Sequence, residues 1–532
     1  MLLRLMTLCL ALLLPSLASA QTLDELVGQL PDGNYNDRAA LVTRIAATGD
    51  PRAAGVLDAL LEGELEQRTA DGRIVHVTGS RNNETAVDVL TGEELGTVAR
   101  RSTESIRVNN SLRRQIRTAL GVLTLRDPDP ARRLAAAEAA LRSPDADQLD
   151  PLSEALEAEQ NTTIRTALER ARAATLLATD APLDARLAAI ATLADAPAMT
   201  VQSALNAHRA DADPQIAAAV AAAIAEAERR QAVWSQAQNL WFGLSLGSVL
   251  LLAAIGLAIT FGVMGVINLA HGELVMLGAY TTYAVQQVFR AYAPDMLGWS
   301  LAVAVPVAFL LVGAVGVAIE RGIVRHLYGR PLETLLATWG VSLILQQLVR
   351  SLFGPTNREV GTPDWMSGAF QLGEMTVTWS RVSIVVFALV VFFGLLLLMR
   401  YSAFGLQMRA VTQNRPMAAN LGIRTGYVDA LTFGLGAGIA GLAGVALSQI
   451  DNVSPNLGQS YIIDSFLVVV FGGVGNLWGT FAAALSLGIA NKFLEPWAGA
   501  VLGKILILIF IILFIQKRPR GLFPQRGRAA EG

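Results

Sequence analysis

The run Phe261-Gly262-Val263-Met264-Gly265-Val266-Ile267-Asn268-Leu269-Ala270-His271-Gly272-Glu273 sets an amide, an imidazole and a carboxylate inside an apolar stretch. That stretch begins near Leu240 and resumes as Leu274-Val275-Met276-Leu277. Ionisable side chains at membrane depth are costly and face a protein interior or a solute path rather than lipid. Glycines beside them mark a broken helix or a close helix contact. Asn268, His271 and Glu273 are therefore candidates for lining a transport path. The competing reading puts His271 and Glu273 in a surface loop, where polar groups near span ends reach interfacial water. A second glycine-broken segment, Phe471-Gly472-Gly473-Val474-Gly475-Asn476-Leu477-Trp478-Gly479, repeats the order Phe-Gly, Gly, Asn-Leu, Gly. Paired interruptions point to a midplane pathway, which adds Asn476 to the candidates. Thr338, Ser342, Gln346 and Gln347 are further polar candidates on one apolar stretch, although Ser and Thr there serve equally as helix-packing groups.

The elements that must hold these residues follow from composition. The chain has 532 residues, is 53% hydrophobic and carries a net charge of −2. From Gln236 onward it holds 18 Lys and Arg against 12 Asp and Glu, a net of +6, which leaves −8 for the remainder. An acidic aqueous domain joined to a membrane domain with basic loops fits this split, and nothing in it suggests nucleic acid. Residues 1–20 combine Arg4, a short apolar core and Ala18-Ser19-Ala20. They read as a secretory signal peptide whose cleavage removes Cys9, the only cysteine.

Residues 21–235 are rich in Ala, Leu, Arg and Asp with apolar residues at helical spacing, as in Leu134, Ala137 and Leu141. Asp-Pro pairs at 50–51, 129–130, 150–151 and 213–214 read as helix starts, because aspartate caps free amides while proline at the next position forfeits no helical bond. Short helices restarted in this way predict a stacked helical array, similar to degenerate HEAT-like repeats. Alternation over Arg73–Val77 and Ala86–Leu90 predicts a small β-hairpin within it. His76 and His208 have no cysteine or H-E-x-x-H partners, so no metal site is expected.

Nine apolar stretches follow, at about 239–263, 266–289, 299–320, 335–352, 382–399, 427–449, 463–473, 480–494 and 500–516. The seventh is too short to span and reads as re-entrant or half a helix. With the amino terminus outside, Arg321, Arg325 and Arg330, then Arg400, Arg409, Arg415 and Arg424, then the tail from Lys517 to Arg528 all fall inside, as positive-inside bias requires. The fold class expected is all-α, a polytopic membrane domain over 236–532 of nine crossings, or seven, behind a soluble helical domain. Gly243-Leu244-Ser245-Leu246-Gly247 matches a hydrolase elbow by pattern, yet it lies within an apolar span, where small residues for helix packing explain it better.

Three motifs carry a resemblance: Gly262 to Glu273, Arg409-Ala410-Val411-Thr412-Gln413-Asn414 continuing through Ala418-Ala419-Asn420-Leu421-Gly422-Ile423, and Phe471 to Thr480. In that order they resemble the permease subunits of branched-chain amino acid type ABC importers, across essentially everything after Ser235. The long amino-terminal extension is similar to the urea-type permease of that family. The resemblance implies a second related permease, two cytoplasmic ATPase subunits and a periplasmic solute-binding protein, in the bacterial inner membrane among its lipids. It also implies that Arg409, Asn414, Ala418 and Gly422 belong to a coupling helix. Independently, Asn414 is suited to cap a short helix that tolerates Pro416 and ends at Gly422, leaving Met417, Ala418 and Leu421 as an apolar face. No phosphate-binding loop occurs, so the chain is expected to bind no cofactor of its own and ATP to be used by partner subunits. Urea is the solute expected, with a branched-chain amino acid or short amide as the alternative. A membrane-anchored periplasmic sensor is the rival from a different class.

Overall fold

The computed structural model describes residues 22–80, 83–97 and 102–523. The signal peptide expected over residues 1–20 lies outside them. Two compact units meet between Arg230 and Gln231.

The first unit begins with α1 (Leu23–Gly28), α2 (Tyr35–Ala47) and α3 (Arg52–Glu62), then five strands: β1 (Leu65–Arg68), β2 (Ile74–Ser80), β3 (Asn83–Asp88), β4 (Glu94–Thr97) and β5 (Thr103–Ser105). Helices α4 (Asn110–Thr124), α5 (Pro130–Arg142), α6 (Leu149–Ala158), α7 (Thr162–Leu177), α8 (Leu183–Ala194) and α9 (Ala198–Leu205) follow, and α10 (Pro214–Met264) contains the boundary between the units. Three apolar clusters, built around Leu57, Leu152 and Val201, succeed one another along the chain. Such locality is what a helical array predicts. The Asp-Pro rule holds where Asp129 caps α5 and where Asp213 accepts from the Gln215 amide at 2.8 Å. Asp50 likewise accepts from the Arg52 amide at 2.9 Å. It fails at 150–151: α6 already starts at Leu149, behind a short 3-10 turn opened by Asp145. The expected hairpin is β2–β3, but it forms the middle of a five-stranded antiparallel sheet of order β4-β3-β2-β1-β5. The added strands are only three or four residues long and mostly polar, too short to show alternation.

In the second unit, α10 is followed by α11 (His271–Tyr292), α12 (Ser300–Gly322), α13 (Pro331–Phe353), the two-stranded β6–β7 (Ala369–Leu372, Met375–Thr378) and α14 (Trp379–Tyr401). Then come the short α15 (Ala403–Gln413) and α16 (Arg415–Asn420), and finally α17 (Thr425–Leu447), α18 (Leu457–Gly472), α19 (Leu477–Ala498) and α20 (Ala500–Lys517). Among the described residues seven helices are long and apolar enough to cross a membrane. The remaining two of the nine expected stretches are α11, which is long enough but carries His271, Glu273, Thr281, Thr282 and Gln286, and α18. At 16 residues α18 is about 24 Å long, shorter than the ~30 Å hydrocarbon core. It starts at Leu457, six residues before the apolar run suggests, because Gly458, Gln459 and Ser460 are helical but polar or small.

Helix α17 is the axis of this unit: 89% of its most apolar stretch is buried, against 11% for α20. Lipid gives helices no hydrophobic reason to associate, so close van der Waals packing of small residues must do it. Glycines on α17 provide this on three sides. A Cβ at Gly436 would lie 2.7 Å from the Gly256 carbonyl of α10, and one at Gly438 would lie 2.8 Å from the Phe309 ring of α12. A Cβ at Gly278 of α11 would lie 2.6 Å from the Gly441 Cα. Gly243 and Gly247 meet α19 in the same way, against Ile489 and Leu485, as the small-residue reading of that pattern expects. Gly278→Ala should therefore force α11 off α17 and cost about 1–3 kcal/mol. Gly394→Ala, with nothing within 4 Å of the new methyl, should be neutral or stabilising by up to about 1 kcal/mol. Thermal unfolding in detergent reads both.

Candidate functional site

Both glycine-broken segments are helix interruptions. Helix α10 stops at Met264, Gly265 takes φ +67°, and the chain stays irregular until α11 begins at His271. Helix α18 stops at Gly472, Gly473 and Gly475 take φ +104° and +80°, and Asn476 caps α19 through the Gly479 amide at 3.1 Å. A side chain at Gly473 would be strained there whatever the space. The two breaks lie against each other: a Cβ built on Gly262 would sit 3.1 Å from the Gly475 nitrogen.

Asn268, His271 and Glu273 are 1%, 1% and 2% exposed, which removes the surface-loop reading of His271 and Glu273. Asn268 holds the turn, its Oδ1 accepting from the Ala270 amide at 3.0 Å. The His271 ring is held to α10, with Nε2 2.8 Å from the Ala253 carbonyl oxygen. Glu273 faces α13 instead, and the Ser342 hydroxyl donates to its Oε1 at 3.0 Å. Each residue keeps one buried polar atom without a hydrogen-bond partner: Asn268 Nδ2, His271 Nδ1 and Glu273 Oε2. Buried polar atoms are almost always paired, so three orphans within six residues mark this segment out.

The polar candidates of α13 share one face at spacings of four. The Leu269 amide donates to Thr338 Oγ1 at 3.2 Å, Ser342 meets Glu273, and Gln346 Nε2 lies 3.2 Å from Asn456 Oδ1. Arg350, one turn further, donates to the same Asn456 oxygen at 2.6 Å. Gln347 is exposed on the neighbouring face. Arg350 and Asn456 were not legible as site residues, since nothing in sequence spacing links α13 to the start of α18. Asn476 stands apart from this group: its Nδ2 donates to the Phe523 carbonyl at 3.2 Å, tying it to the segment after α20.

The Arg409-to-Ile423 segment forms α15 and α16. Asn414 caps α16 through the Met417 amide at 3.0 Å, with Pro416 in the first turn and Gly422 at φ +88° after its end. The expected apolar face divides: Met417 and Leu421 are exposed, whereas Ala418 is buried in the apolar cluster. Met417 and Leu421, four apart, share one side of the short helix while Ala418 turns to another, and periodicity does not tell which side is free. Arg409 donates to the Met399 carbonyl. Arg415 pairs with Asp429, a fully buried carboxylate at the start of α17, and its guanidinium lies 4.9 Å from the Tyr328 ring centroid. Tyr328 donates to Glu320 Oε1 at 3.0 Å. Burial, then the Asp429 and Glu320 carboxylates, push the Tyr328 phenol above its ordinary range, so it remains a donor. Neither Asp429 nor Glu320 was marked by the sequence. Both look like isolated charges at helix ends.

Comparison with known proteins bears on this geometry. Residues 239–515 match the family described as branched-chain amino acid transport system / permease component. The chain belongs to this family. It is 30% identical over 297 residues to the high-affinity branched-chain amino acid transport system permease protein BraD of Pseudomonas aeruginosa, covering 54% of this chain and 96% of that one. It is 31% identical over 293 residues to the corresponding protein LivH of Escherichia coli K12, covering 54% and 94%. A probable branched-chain amino acid transport permease protein LivH of Methanocaldococcus jannaschii is 24% identical over 295 residues, covering 52% and 88%. No solved structure matches significantly. The family match of this permease begins at residue 239, so it includes both breaks and α16 and leaves the first unit outside.

Because Asp429 is buried, Arg415→Ala should leave its carboxylate unpaired and cost about 2 kcal/mol, more than Tyr328→Phe, which should cost about 1 kcal/mol. Combining Arg415→Ala with Asp429→Ala should recover part of the loss in a double-mutant cycle followed by thermal unfolding.

Proposed function

We propose that the chain is the membrane-spanning permease subunit of an ATP-driven importer, and that its solute is a branched-chain amino acid or a short amide. The observation that carries this is the family match over residues 239–515, together with relatives that are covered almost end to end and named as branched-chain amino acid permeases. Those names favour the amino acid alternative over the urea expectation. Urea stays as a second reading on one observation, the unit before residue 239, to which the family match does not extend.

On this reading the assembly contains a second related permease, two cytoplasmic ATPase subunits that use the ATP, and a solute-binding protein that docks from the periplasm. The protein sits in the inner membrane with residues 21–235 periplasmic and the chain end cytoplasmic. Asn268, His271, Glu273, Thr338 and Gln346 belong to the translocation region. Asn476 bounds it at the second break. Alternating access would open the region to one side and then the other, with the two touching breaks as its natural pivot. Helix α16, capped by Asn414 and ended at Gly422, docks in a groove of the ATPase through the exposed Met417 and Leu421, while buried Ala418 holds it to the bundle and Arg409 ties the preceding α15 to α14.

Uptake of labelled leucine, urea and acetamide by cells carrying the complete importer, with and without this chain, tests the reading. Leucine or amide uptake should depend on the chain, and uptake of every solute independent of it would overturn the proposal. Leu421→Asp puts a charge on the docking face without touching the core. Uptake and solute-stimulated ATP hydrolysis in proteoliposomes should both fall at least roughly tenfold while the protein remains in the membrane. Unchanged coupling would remove α16 from that role.

A further inference from the structure

A cavity of about 170 Å³ lies between the first turns of α12 and α14 and the end of α17. Nine of its eleven lining residues are apolar, Val305, Ile384, Phe387 and Val445 among them, so its occupant is largely hydrocarbon. An apolar cavity of about 150 Å³ takes a benzene ring, and this one has room for roughly six carbons. Gln449, just past the end of α17, is one of the two polar exceptions and is 8% exposed. Its Nε2 donates to Ser448 Oγ at 3.2 Å, and the Ser448 hydroxyl gives its own proton to the Val445 carbonyl at 2.8 Å. Turning the amide over would set its oxygen against an oxygen whose proton is already committed. Gln449 Oε1 is thus a buried acceptor with no hydrogen bond, at the rim of an otherwise apolar cavity.

What the cavity opens on follows from the helices beside it. From Ala302 to Ala318 on α12 and from Val386 to Leu398 on α14, every exposed residue is apolar, glycine or proline. Exposed polar residues lie instead on α13, α18 and α20, at Gln347, Gln459, Ser460 and Lys504. Polar groups within a membrane avoid lipid, so that side meets protein or water and the side of α12 and α14 meets lipid. Exposed Trp299, Trp365 and Trp379, at or just before the starts of α12 and α14, mark the membrane surface at the cavity's polar end. The Trp365 indole donates to the Gly298 carbonyl at 3.1 Å, which joins the two short turns that carry Asp364 and Asp295. Both carboxylates are exposed, and neither has an ion-pair partner among the described residues. Arg381, in the first turn of α14, is engaged with α10, its guanidinium 4.6 Å from the Phe242 ring centroid. The rim is therefore acidic above an apolar interior.

We propose that this cavity is a lipid site, holding part of an acyl chain of a membrane lipid whose primary-ammonium headgroup donates to Gln449 Oε1 and lies against Asp364 and Asp295. The proposal goes beyond the transport reading and does not depend on which solute is carried. An acyl chain alone would fill the apolar part and leave Oε1 without a donor. An anionic headgroup would meet two unpaired carboxylates. A quaternary ammonium has the right charge but no N–H to give, whereas a primary ammonium has three. Charge, donor and the order of polar rim and apolar interior thus all select the same lipid class.

The test uses the full-length chain, purified in detergent and stripped of lipid, then titrated with phosphatidylethanolamine, phosphatidylcholine or phosphatidylglycerol of identical acyl chains. Bound lipid is counted by native mass spectrometry. The parent should bind phosphatidylethanolamine roughly tenfold more tightly than phosphatidylcholine, the difference being one charge-assisted hydrogen bond. Phosphatidylglycerol, which has hydroxyl donors but a net negative charge, should bind no better than phosphatidylcholine. Gln449→Leu should erase the preference for the ethanolamine lipid. Without lipid it should unfold at or above the parental temperature, because it removes an unsatisfied buried acceptor. Ala302→Phe, at an exposed lining position, should fill the cavity and weaken all three lipids. Where Gln449→Leu does not fold, the exposed pair Asp295→Asn with Asp364→Asn decides instead, and should narrow the preference several-fold. Equal binding of the ethanolamine and choline lipids by the parent overturns the proposal, as does tighter binding of phosphatidylglycerol. A preference that survives Gln449→Leu, or binding unchanged in Ala302→Phe, places the lipid elsewhere and overturns it too.

Discussion

Backbone-to-backbone contact around α17 is the constraint on which the second unit depends. In a bilayer a helix pair gains little by hiding leucine from lipid, so association requires interfaces where the main chains approach closely. Helix α17 meets α10 at Gly436, α12 at Gly434 and Gly438, and α11 at Gly441 and Gly444. Three neighbours thereby take their positions from one helix. The bulky side chains are displaced outward: Leu310, Leu336, Phe393 and Ile512 are all exposed on the surrounding helices. That distribution is inverted relative to a water-soluble bundle, and the surrounding solvent is the reason.

Close packing also makes the interrupted helices possible. A broken helix leaves carbonyls and amides without intrahelical partners, and lipid cannot supply them. At the second break the segment after α20 does so: the Leu522 amide donates to the Phe471 carbonyl at 2.9 Å and the Phe523 amide to the Gly472 carbonyl at 3.1 Å. Asn476 completes the arrangement by capping α19 and bonding Phe523. The first break is less completely satisfied. Its turn is closed by Asn268 and by Thr338 on α13, yet Asn268 Nδ2, His271 Nδ1 and Glu273 Oε2 remain unpaired. Of two interruptions that resemble each other in sequence, one is tied off by protein and the other keeps polar capacity in reserve. The reserved capacity is where a solute region is best sought.

Much of this was legible in the sequence, for identifiable reasons. Apolar runs placed the helices of the second unit because hydrophobicity over ~20 residues is a cumulative signal. Asp129 and Asp213 marked helix starts because capping is local chemistry. Asn414 was readable as a cap for the same reason. What escaped depends on distant parts of the chain. The sheet was read as one hairpin since β1, β4 and β5 are strands only by virtue of their neighbours. Ala418 turned inward although Met417 and Leu421 did not, because the bundle beneath decides the face of so short a helix. Asn456, Arg350, Glu320 and Asp429 acquire meaning only from partners 8 to 106 residues away.

The Arg415–Asp429 pair shows how a local cap and a global axis become one object. Asp429 lies near the start of α17 and is fully buried, so its carboxylate needs a fixed counter-charge, and that charge comes from the first residue of α16. Arg415 in turn lies over Tyr328, which donates to buried Glu320 at the end of α12. One chain of charged and polar contacts therefore joins α16 to the two helices that share the Gly313–Gly434 contact. Separating Arg415 would strand the buried Asp429 carboxylate, so a displacement of α16 is more readily passed to α17 than absorbed between them. Since α17 is packed backbone to backbone against α10, α11 and α12, such a displacement would reach the helix that carries Glu273 without crossing a soft layer of side chains. On the proposed function, this rigidity is how an event at the docking helix is felt at the first helix break.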